Sequence, residues 1–365
     1  MRTGLSAGLI TAQSANSRTP YKKMIFTSYD GLTTYDLSSD STVYGNRHIL
    51  TDHVEELYND YAAIALKNLN RDLPDLKGYW VEIGYGDYVS GSPEYALTAR
   101  LWVKHQQTVS AGGKLIRILE CEGMWAKLRE TKLRMGNPPY YIIKNLAAAG
   151  TPEYLAALNQ KTPYEIISYI LTLIEPAMTL ETLVEDDGII DTLVPNFSIN
   201  EFQQFETAAS VICRLLTMTN CYLKPKAGLA WEVKYPQDSD SADLTFYNDT
   251  TPKFYSFLDR ENVQLPNRIY LFANAGTDGL WTDIIGAQAD DTDSQAIYGI
   301  ASDTVLAPEL TTQADADARA TAILNRQSIE ESSLMDSVLA GKLITQHNCQ
   351  VELYDKITVI DGRGS

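Results

Sequence analysis

Apolar and polar side chains alternate through the first third of the chain, as they do in half-buried antiparallel strands. The clearest segments are GYWVEIGYG and ALTARLWVKH, and the earlier YKKMIFTSY and YAAIALKNLN also predict strands. The glycine pair in VSAGGKLIRILECEG predicts a tight turn before a further strand. In ALTARLWVKH one face is predicted to carry Leu97, Ala99, Leu101 and Val103, and the other Thr98, Arg100, Trp102 and Lys104. Residues 20–122 are therefore expected to form a small β-barrel or sandwich.

The apolar period lengthens near residue 123, where GMWAKLRETKLRM predicts a helix. A second helix is predicted from Thr162, because Pro163 suits the first helical position and Glu165 completes a capping box.

Ser198 and Glu201 repeat the capping pattern and predict a third helix. Its apolar stripe is expected to contain Phe202, Phe205, Ala209, Ile212 and Leu216. The segments GLAWEVKYP and DLTFYND then predict strands. Residues 123–250 are thus expected to be an inserted α+β module.

The last third returns to strands. NRIYLFANAG places Ile269, Leu271 and Ala273 opposite Arg268, Tyr270 and Phe272, and SQAIYGIAS predicts another short strand. TTQADADARATAILNRQ predicts an Ala-rich helix with acids in its first turns. QVELYDKITVIDGR predicts a late strand, a turn at residues 354–356 and a second strand. We expect residues 251–365 to form a second β-domain.

Composition limits the classes of function. The chain has 365 residues, 44% of them hydrophobic, which suits a folded protein of two or three domains. Its net charge of −17 argues against a surface that grips nucleic acid or anionic membranes. No apolar run approaches the ~20 residues that span a bilayer. Residues 1–19 lack a convincing secretory signal and are expected to be an extended N-terminal arm of a protein made inside the cell.

The four cysteines lie in mostly apolar surroundings and form no CxxC pair, so we expect buried free thiols: Cys121, Cys213, Cys221 and Cys349. Cys213 and Cys221 could pair in an oxidising compartment, which spacing alone does not decide. There are 22 tyrosines against eight phenylalanines. Tyrosine favours both strands and interfaces, and both uses remain open.

Residues with catalytic or metal-binding chemistry are present, but they do not form a recognisable set. No GxSxG, GxxxxGK[ST] or HExxH motif occurs, and GYGDYVSG predicts a turn rather than a nucleotide loop. The four histidines are expected to be surface or strand residues: His48, His53, His105 and His347. Asp291 and Asp293 alternate as in a calcium loop, but the EF-hand glycine and distal glutamate are missing.

Paired carboxylates could serve a glycosidase if two of them faced each other across a cleft. The adjacent pairs are Glu55-Glu56, Asp186-Asp187 and Asp290-Asp291, all in surface-like segments. Sequence position alone does not bring them across a cleft. We therefore predict no catalytic, cofactor-binding or metal-binding residues.

Three groups of segments resemble the hub proteins of bacteriophage tails in pattern and order. The first is LNRDLPDLKGYWVEIGYG with the strands and helix up to Leu128, and the second runs from TPYEIISYIL to GLAWEVKYP. The third combines NRIYLFANAG, the Ala-rich helix and VELYDKITVID. The resemblance covers roughly residues 20–362. The family includes baseplate hubs of contractile tails, late control proteins, and the N-terminal part of tail-associated proteins.

The resemblance implies two tail-tube-like β-barrel domains, 20–122 and 251–365, around the inserted module. It implies that three chains form a ring of six barrels, which continues the tail tube around the DNA channel of a virion assembled in the bacterial cytoplasm. Partners would be further copies of the chain, a tube or distal tail ring, and tip, spike or fibre proteins, with DNA only passing through. Larger family members append a peptidase, lysozyme or receptor-binding part, whereas this sequence stops at Ser365, so no enzymatic activity and no cofactor are expected.

Residues 281–320 contain eight acidic residues and one basic residue, Arg319. Acidic residues that line a bore would repel passing DNA. Two other functions remain as alternatives. One is a carbohydrate-active or cell-wall-cleaving tail enzyme that uses an Asp/Glu pair. The other is a β-rich distal tail or receptor-adhesion protein.

Overall fold

The computed structural model describes residues 2, 4–45, 47–133, 161–195, 206–237, 240–258, 266–273, 284–307, 310, 312–332 and 342–362. The described part is mostly β-strand with several helices, in agreement with the predicted class. Three large buried apolar clusters hold it together. One lies in the first sheet, one between that sheet and the helical module, and one in the last third.

Residues 20–122 form an antiparallel sheet of eight strands, preceded by helix α1 (Ala7–Gln13). The strands are β1 (Pro20–Lys23), β2 (Ile25–Thr27), β3 (Thr34–Asp36), β4 (His48–Glu56), β5 (Asn59–Lys67), β6 (Trp80–Val89), β7 (Ser92–Ala111) and β8 (Lys114–Glu122). Their order is β3-β2-β6-β7-β8-β5-β4, with β1 also paired to β6. Among the described residues β3 and β4 do not pair with each other, so this sheet is open where a closed barrel was predicted.

Strand β7 is buried on both faces over part of its length. Leu101 and Val103 enter the core of the first sheet, as the alternation predicted. Trp102, assigned to the polar face, is only 3% exposed because it packs into the core of the helical module. Leu97, assigned to the buried face, is 39% exposed. The module therefore covers a face that the sequence pattern alone assigned to solvent.

Two tight turns set the register of β6, β7 and β8. Gly112 and Gly113 have φ values of 56° and 72°, which suits a two-residue hairpin turn and confirms the predicted turn. In GYGDYVSG only the last two residues, Ser90 and Gly91, form a turn. Gly86 lies inside β6, where a Cβ atom would come within 1.9 Å of the Glu94 carbonyl oxygen. That glycine is therefore required by the close approach of β7.

The helical module contains α2 (Met124–Glu130), α3 (Pro163–Thr172) and α4 (Ala208–Leu216). Its strands are β9 (Lys132–Leu133), β10 (Thr179–Leu180), β11 (Glu206–Thr207), β12 (Tyr222–Lys226) and β13 (Ala230–Lys234). Strands β10, β13 and β12 form one sheet and β9 pairs with β11. The rings of Trp125 and Trp231 meet edge to face at 5.0 Å in its core.

Helix α3 begins as predicted. The Thr162 hydroxyl accepts from the Glu165 N–H, and the Glu165 carboxylate accepts from the Thr162 N–H, which makes a complete capping box. Ser198, Glu201, Phe202 and Phe205 lie outside the described residues. Helix α4 instead starts after Thr207, whose hydroxyl accepts from the Ser210 N–H at 3.2 Å.

The remaining elements are β14 (Leu244–Tyr247), β15 (Phe254–Leu258), β16 (Arg268–Ala273), β17 (Ile285–Asp290), α5 (Thr292–Tyr298), β18 (Ser302–Ala307), α6 (Gln313–Ser332), β19 (Lys342–Thr345) and β20 (Ile357–Ile360). Strands β17, β16 and β18 form a sheet, β15 pairs with β19, and β14 pairs in parallel with β20. Helix α6 packs on β16 and β17. The predicted burial of Ile269, Leu271 and Ala273 is confirmed.

Two strand predictions in this region were wrong. Most of SQAIYGIAS is helix α5, because the Asp291 carboxylate accepts from the Ser294 N–H and caps it. In the late hairpin only Ile357–Ile360 is a strand, while residues 350–353 are not. A turn is present, but it lies slightly earlier than the predicted residues 354–356, since Asp355 donates its N–H to the Glu352 carbonyl at 3.2 Å. The late element thus adds one strand to β14 rather than forming a hairpin.

Candidate functional site

The N-terminal arm is not extended as predicted, because it contains α1 and lies on the first sheet. The Ser6 hydroxyl caps α1 by accepting from the Leu9 N–H at 2.9 Å. Leu9 is 2% exposed and packs with Ala96 of β7 and Cys349. The arm, the first sheet and the C-terminal segment therefore share one small core.

A buried ion pair fixes this junction. The Arg18 guanidinium lies 2.7 Å from the Asp87 carboxylate, and their side chains are 4% and 1% exposed. Gln13 donates to the same carboxylate, and its own side-chain oxygen accepts from the Cys349 N–H at 2.8 Å. Arg18 also donates to the His347 carbonyl oxygen. Since a buried charge needs several partners, these contacts fix the N-terminal arm against β6 and against the C-terminal segment.

A second chain of charges ties the helical module to the C-terminal segment. Lys224 on β12 contacts Glu352 at 2.7 Å and Glu232 at 3.6 Å, with its side chain 5% exposed. Arg2 reaches the other oxygen of the Glu352 carboxylate at 2.8 Å. Sequence analysis missed both networks, because their members lie far apart in the chain and form no local motif.

A cavity of about 270 Å³ lies between β4 and the C-terminal segment. The Tyr85 hydroxyl lies 3.2 Å from His53 Nδ1, and the Tyr85 ring centroid is 4.6 Å from that of His347. Burial lowers the pKa of His53 to about 4 and raises the pKa of the Cys349 thiol. At neutral pH this imidazole is uncharged and the thiol is protonated, so neither is prepared as an acid catalyst or a nucleophile.

Glu55, one of the paired carboxylates, lines the same cavity, where burial raises the pKa of its carboxyl. The other residues considered in the sequence analysis are spread over the molecule. His48 Nε2 contacts Lys22 Nζ at 3.0 Å and Thr51 at 2.8 Å, and His105 is exposed on β7. Asp187 accepts from the N–H groups of Ile189, Ile190 and Asn220. These groups support local structure instead of meeting at a reaction centre.

The acidic loop before α5 is also structural. Asp290 lies 2.5 Å from Arg268, and hydrogen bonds and this ion pair lower the pKa of its carboxyl to about 2. Asp291 is the helix cap already described, and Asp293 lies in the first turn of α5. Across the described residues, no three His, Cys, Asp or Glu side chains are grouped so that they could hold a metal ion. No described helix is long and apolar enough to cross a membrane.

Exposed apolar side chains lie beside sheet edges. On α5 and around β18, Ile297 is 73% exposed, Ile300 61% and Leu306 63%. On the two-stranded ribbon of β15 and β19, Tyr255 is 70% exposed and Ile344 44%. Such patches on a folded chain mark contact surfaces. In the described part of the molecule these surfaces, and not a cleft with convergent chemistry, are the candidate functional site.

Comparison with solved structures finds similar folds over nearly the whole chain. A tail protein from Neisseria meningitidis MC58 superposes with a TM-score of 0.56 at 9% identity, covering 94% of this chain and 87% of that one. The 43 kDa tail protein of prophage MuSo2 from Shewanella oneidensis gives a TM-score of 0.57 at 14% identity, covering 93% and 89%.

No protein-family model and no curated protein sequence matches the chain. The similarity therefore lies in the fold, at identities where sequence comparison alone does not detect it. It agrees with the resemblance to tail hubs found in the order of segments. By its architecture, this chain has the fold of bacteriophage tail proteins.

Proposed function

We propose that the protein is a structural component of a phage tail tip or baseplate, in which three copies form a hub ring that continues the tail tube. The observation that carries the proposal is the fold similarity to two tail proteins, which extends over 93–94% of this chain and 87–89% of theirs. Similarity over almost the full length of both chains concerns the whole architecture rather than one common domain.

In this proposal residues 20–122 and 251–365 are the two tube-like units and residues 123–250 are the insertion between them. Each unit supplies one sixth of the ring, so three chains match a sixfold tube. Among the residues that the structure describes, β3 and β4 end the first sheet without a further strand partner, which supports this arrangement, since an unpaired edge is available to a neighbouring subunit. The barrels then close, or are extended, by contacts between subunits.

The net charge of −17 supports a channel wall past which DNA slides without sticking. Acids that face the bore raise the local negative potential and repel phosphates. Neutralising the bore-facing acids, once an assembled structure identifies them, should slow DNA ejection measured by dye release. Unchanged ejection would remove this part of the proposal.

The decisive experiment is electron microscopy of the recombinant chain and of tail particles that contain it. A tag on this chain shows its position within the particle. We expect a three-copy ring at the tail tip, on the axis of the tube. A monomer bound at the periphery of the tip would instead indicate a receptor-binding protein. Turnover of peptidoglycan that is lost on substitution of a single carboxylate would indicate an enzyme.

A further inference from the structure

One edge of the first sheet combines exposed apolar residues with cations. Strand β4 pairs only with β5, so its outer backbone edge is unpaired among the described residues. Ile49 and Leu50 on this strand are 43% and 60% exposed. Leu69, in the loop after β5, is 63% exposed between the exposed side chains of Lys67 and Arg71. We call these five residues the basic edge.

The basic edge is continuous. Lys67 donates its N–H to the Arg47 carbonyl at 2.7 Å, so the end of β5 lies beside the start of β4. The Asn68 N–H donates to the Leu115 carbonyl at 2.8 Å, which holds the following loop against the start of β8. The cations and the apolar side chains therefore lie at the same end of the sheet. Of the exposed acids there, Asp72 is paired with Arg47 and Asp52 lies on β4, so two cations stand against one remaining acid.

A second unpaired edge, in the last third, has the opposite charge. Strand β18 pairs only with β16 within the described residues, and this leaves its other side open. Leu306 on β18 and Ile297 and Ile300 beside it are each more than 60% exposed. Asp293 and Asp303 are exposed among them. We call these five residues the acidic edge.

We propose that the basic edge of one copy binds the acidic edge of the next copy, by strand-edge contact between β4 and β18. This inference rests on the proposed ring and names its contact surfaces. Within the part of the chain that the structure describes, one backbone edge of each strand has no strand partner, and a neighbouring strand can replace the water that bonds to it. The exposed leucine and isoleucine side chains become buried, while the aspartates face lysine and arginine.

The geometry favours a second copy as the occupant because every chain carries both complementary surfaces on different parts of the molecule. Such a contact is head-to-tail, since the two participating surfaces differ. Each copy can use both surfaces at once, so the contact repeats from copy to copy and forms a closed ring when the rotation per copy is a third of a turn. The charges add direction, because two basic edges or two acidic edges repel each other.

The test uses charge reversal on the full-length chain. Lys67→Glu with Arg71→Glu reverses the basic edge, and Asp293→Lys with Asp303→Lys reverses the acidic edge. Each double variant should require at least tenfold higher protein concentration to form rings, measured by light scattering and counted by electron microscopy. The chain with all four substitutions should recover rings, because its edges are complementary again.

Mixing the two double variants gives a sharper result. Each contact then needs one copy of each variant, so copies must alternate, and a ring of three cannot alternate. The mixture should form pairs or longer open assemblies but no closed three-copy rings. Lys77→Glu and Asp191→Lys are the matched controls, since both side chains are exposed and belong to neither edge, and they should leave ring formation unchanged.

The outcomes separate the two proposals. If the wild-type chain forms three-copy rings and both double variants form them equally well, the edges contact some other protein and this inference is overturned while the proposed function stands. If loss occurs without recovery in the four-substitution chain, the charge complementarity is overturned. If no ring forms at any concentration or in the tail particle, the proposed function fails, and this inference fails with it.

Discussion

The carboxylate of Asp60 occupies the space that a side chain on Gly123 would need. Asp60, at the start of β5, is 2% exposed and accepts from the N–H groups of Met124 and Trp125, the first two residues of α2. Gly123 is the N-cap residue of α2 and has no side chain with which to cap it. A Cβ atom there would lie 1.8 Å from an Asp60 oxygen. The first sheet thus caps the first helix of the inserted module.

Gly123→Ala should destabilise the protein by at least about 1–3 kcal/mol, the usual cost of overpacking a buried site. The added methyl group must displace Asp60, which also removes the cap of α2. Chemical denaturation of both proteins measures the difference. Gly286→Ala is the matched control, because a Cβ atom on Gly286 meets nothing within 4 Å, and it should change stability little. Equal stability of the two variants would show that the Asp60 site can open freely.

Asp60 should make stability fall as pH rises from about 4 to 7. Burial raises the pKa of its carboxyl from 3.8 to about 7, although the two backbone N–H groups oppose this shift. Because the folded protein holds this proton more tightly than the unfolded chain, the stabilisation is complete below the unfolded pKa and is lost as pH approaches 7.

Asp60→Asn removes this titration. The difference in unfolding free energy between wild type and variant should change with pH by up to about 1.4 kcal/mol per pH unit within that window. Denaturation series at pH 4, 5, 6 and 7 measure it. Parallel stability curves for the two proteins would mean that Asp60 titrates near its ordinary pKa.

Breaking the buried pair of Arg18 and Asp87 should be far more costly than breaking an exposed one. Arg18→Met leaves the Asp87 charge buried and should cost about 3–5 kcal/mol. The matched control is Arg47→Met, whose partner Asp72 is 40% exposed, and it should cost under about 1 kcal/mol. Hydrogen exchange should also become faster in α1 and in residues 347–350. Slow exchange there in the Arg18 variant would show that the pair does not hold the arm.

His53 should make the junction acid-labile. Burial lowers the pKa of His53 to about 4, and its side chain is 9% exposed. As pH falls, His53 is protonated in the unfolded chain at a higher pH than in the folded protein. The stabilisation is therefore complete above about pH 6.5 and is lost as pH falls towards 4. Burial also lowers the pKa of His347 to about 4, and the single substitution at His53 separates the contribution of His53 from it.

The measurement is the stability difference between wild type and His53→Gln across this range. The wild type should lose stability relative to the variant as pH falls, opposite in sign to the Asp60 effect. A pH-independent difference for His53→Gln would contradict the lowered pKa.

Local signals were predictable from the sequence. The capping box at Thr162, the turn at Gly112 and Gly113, and the alternation in β16 each depend on residues a few positions apart. Asp291 shows the limit of such reasoning. In the sequence it resembled part of a calcium loop followed by a strand, but in the structure it caps α5. Helix capping and metal binding use the same carboxylate chemistry, and only the backbone direction distinguishes them.

Long-range relationships were not predictable. Trp102 is buried because another module covers its face, and Asp60 caps a helix that starts more than sixty residues later. Likewise, the sequence pattern did not predict β4 or β18, and alternation does not reveal which strands lie at a sheet edge. The candidate contact surfaces are therefore visible only in three dimensions.

Arg18 donates to the carbonyl of His347, a residue 329 positions later in the chain. Ribosomes synthesise proteins from the N-terminus, so α1 and Arg18 leave the exit tunnel long before the segment that locks them exists. Until then the Arg18–Asp87 pair lacks its contacts with the C-terminal segment, and that segment does not yet cover the first sheet. The nascent polypeptide consequently acquires this junction only after the segment around His347 has left the ribosome.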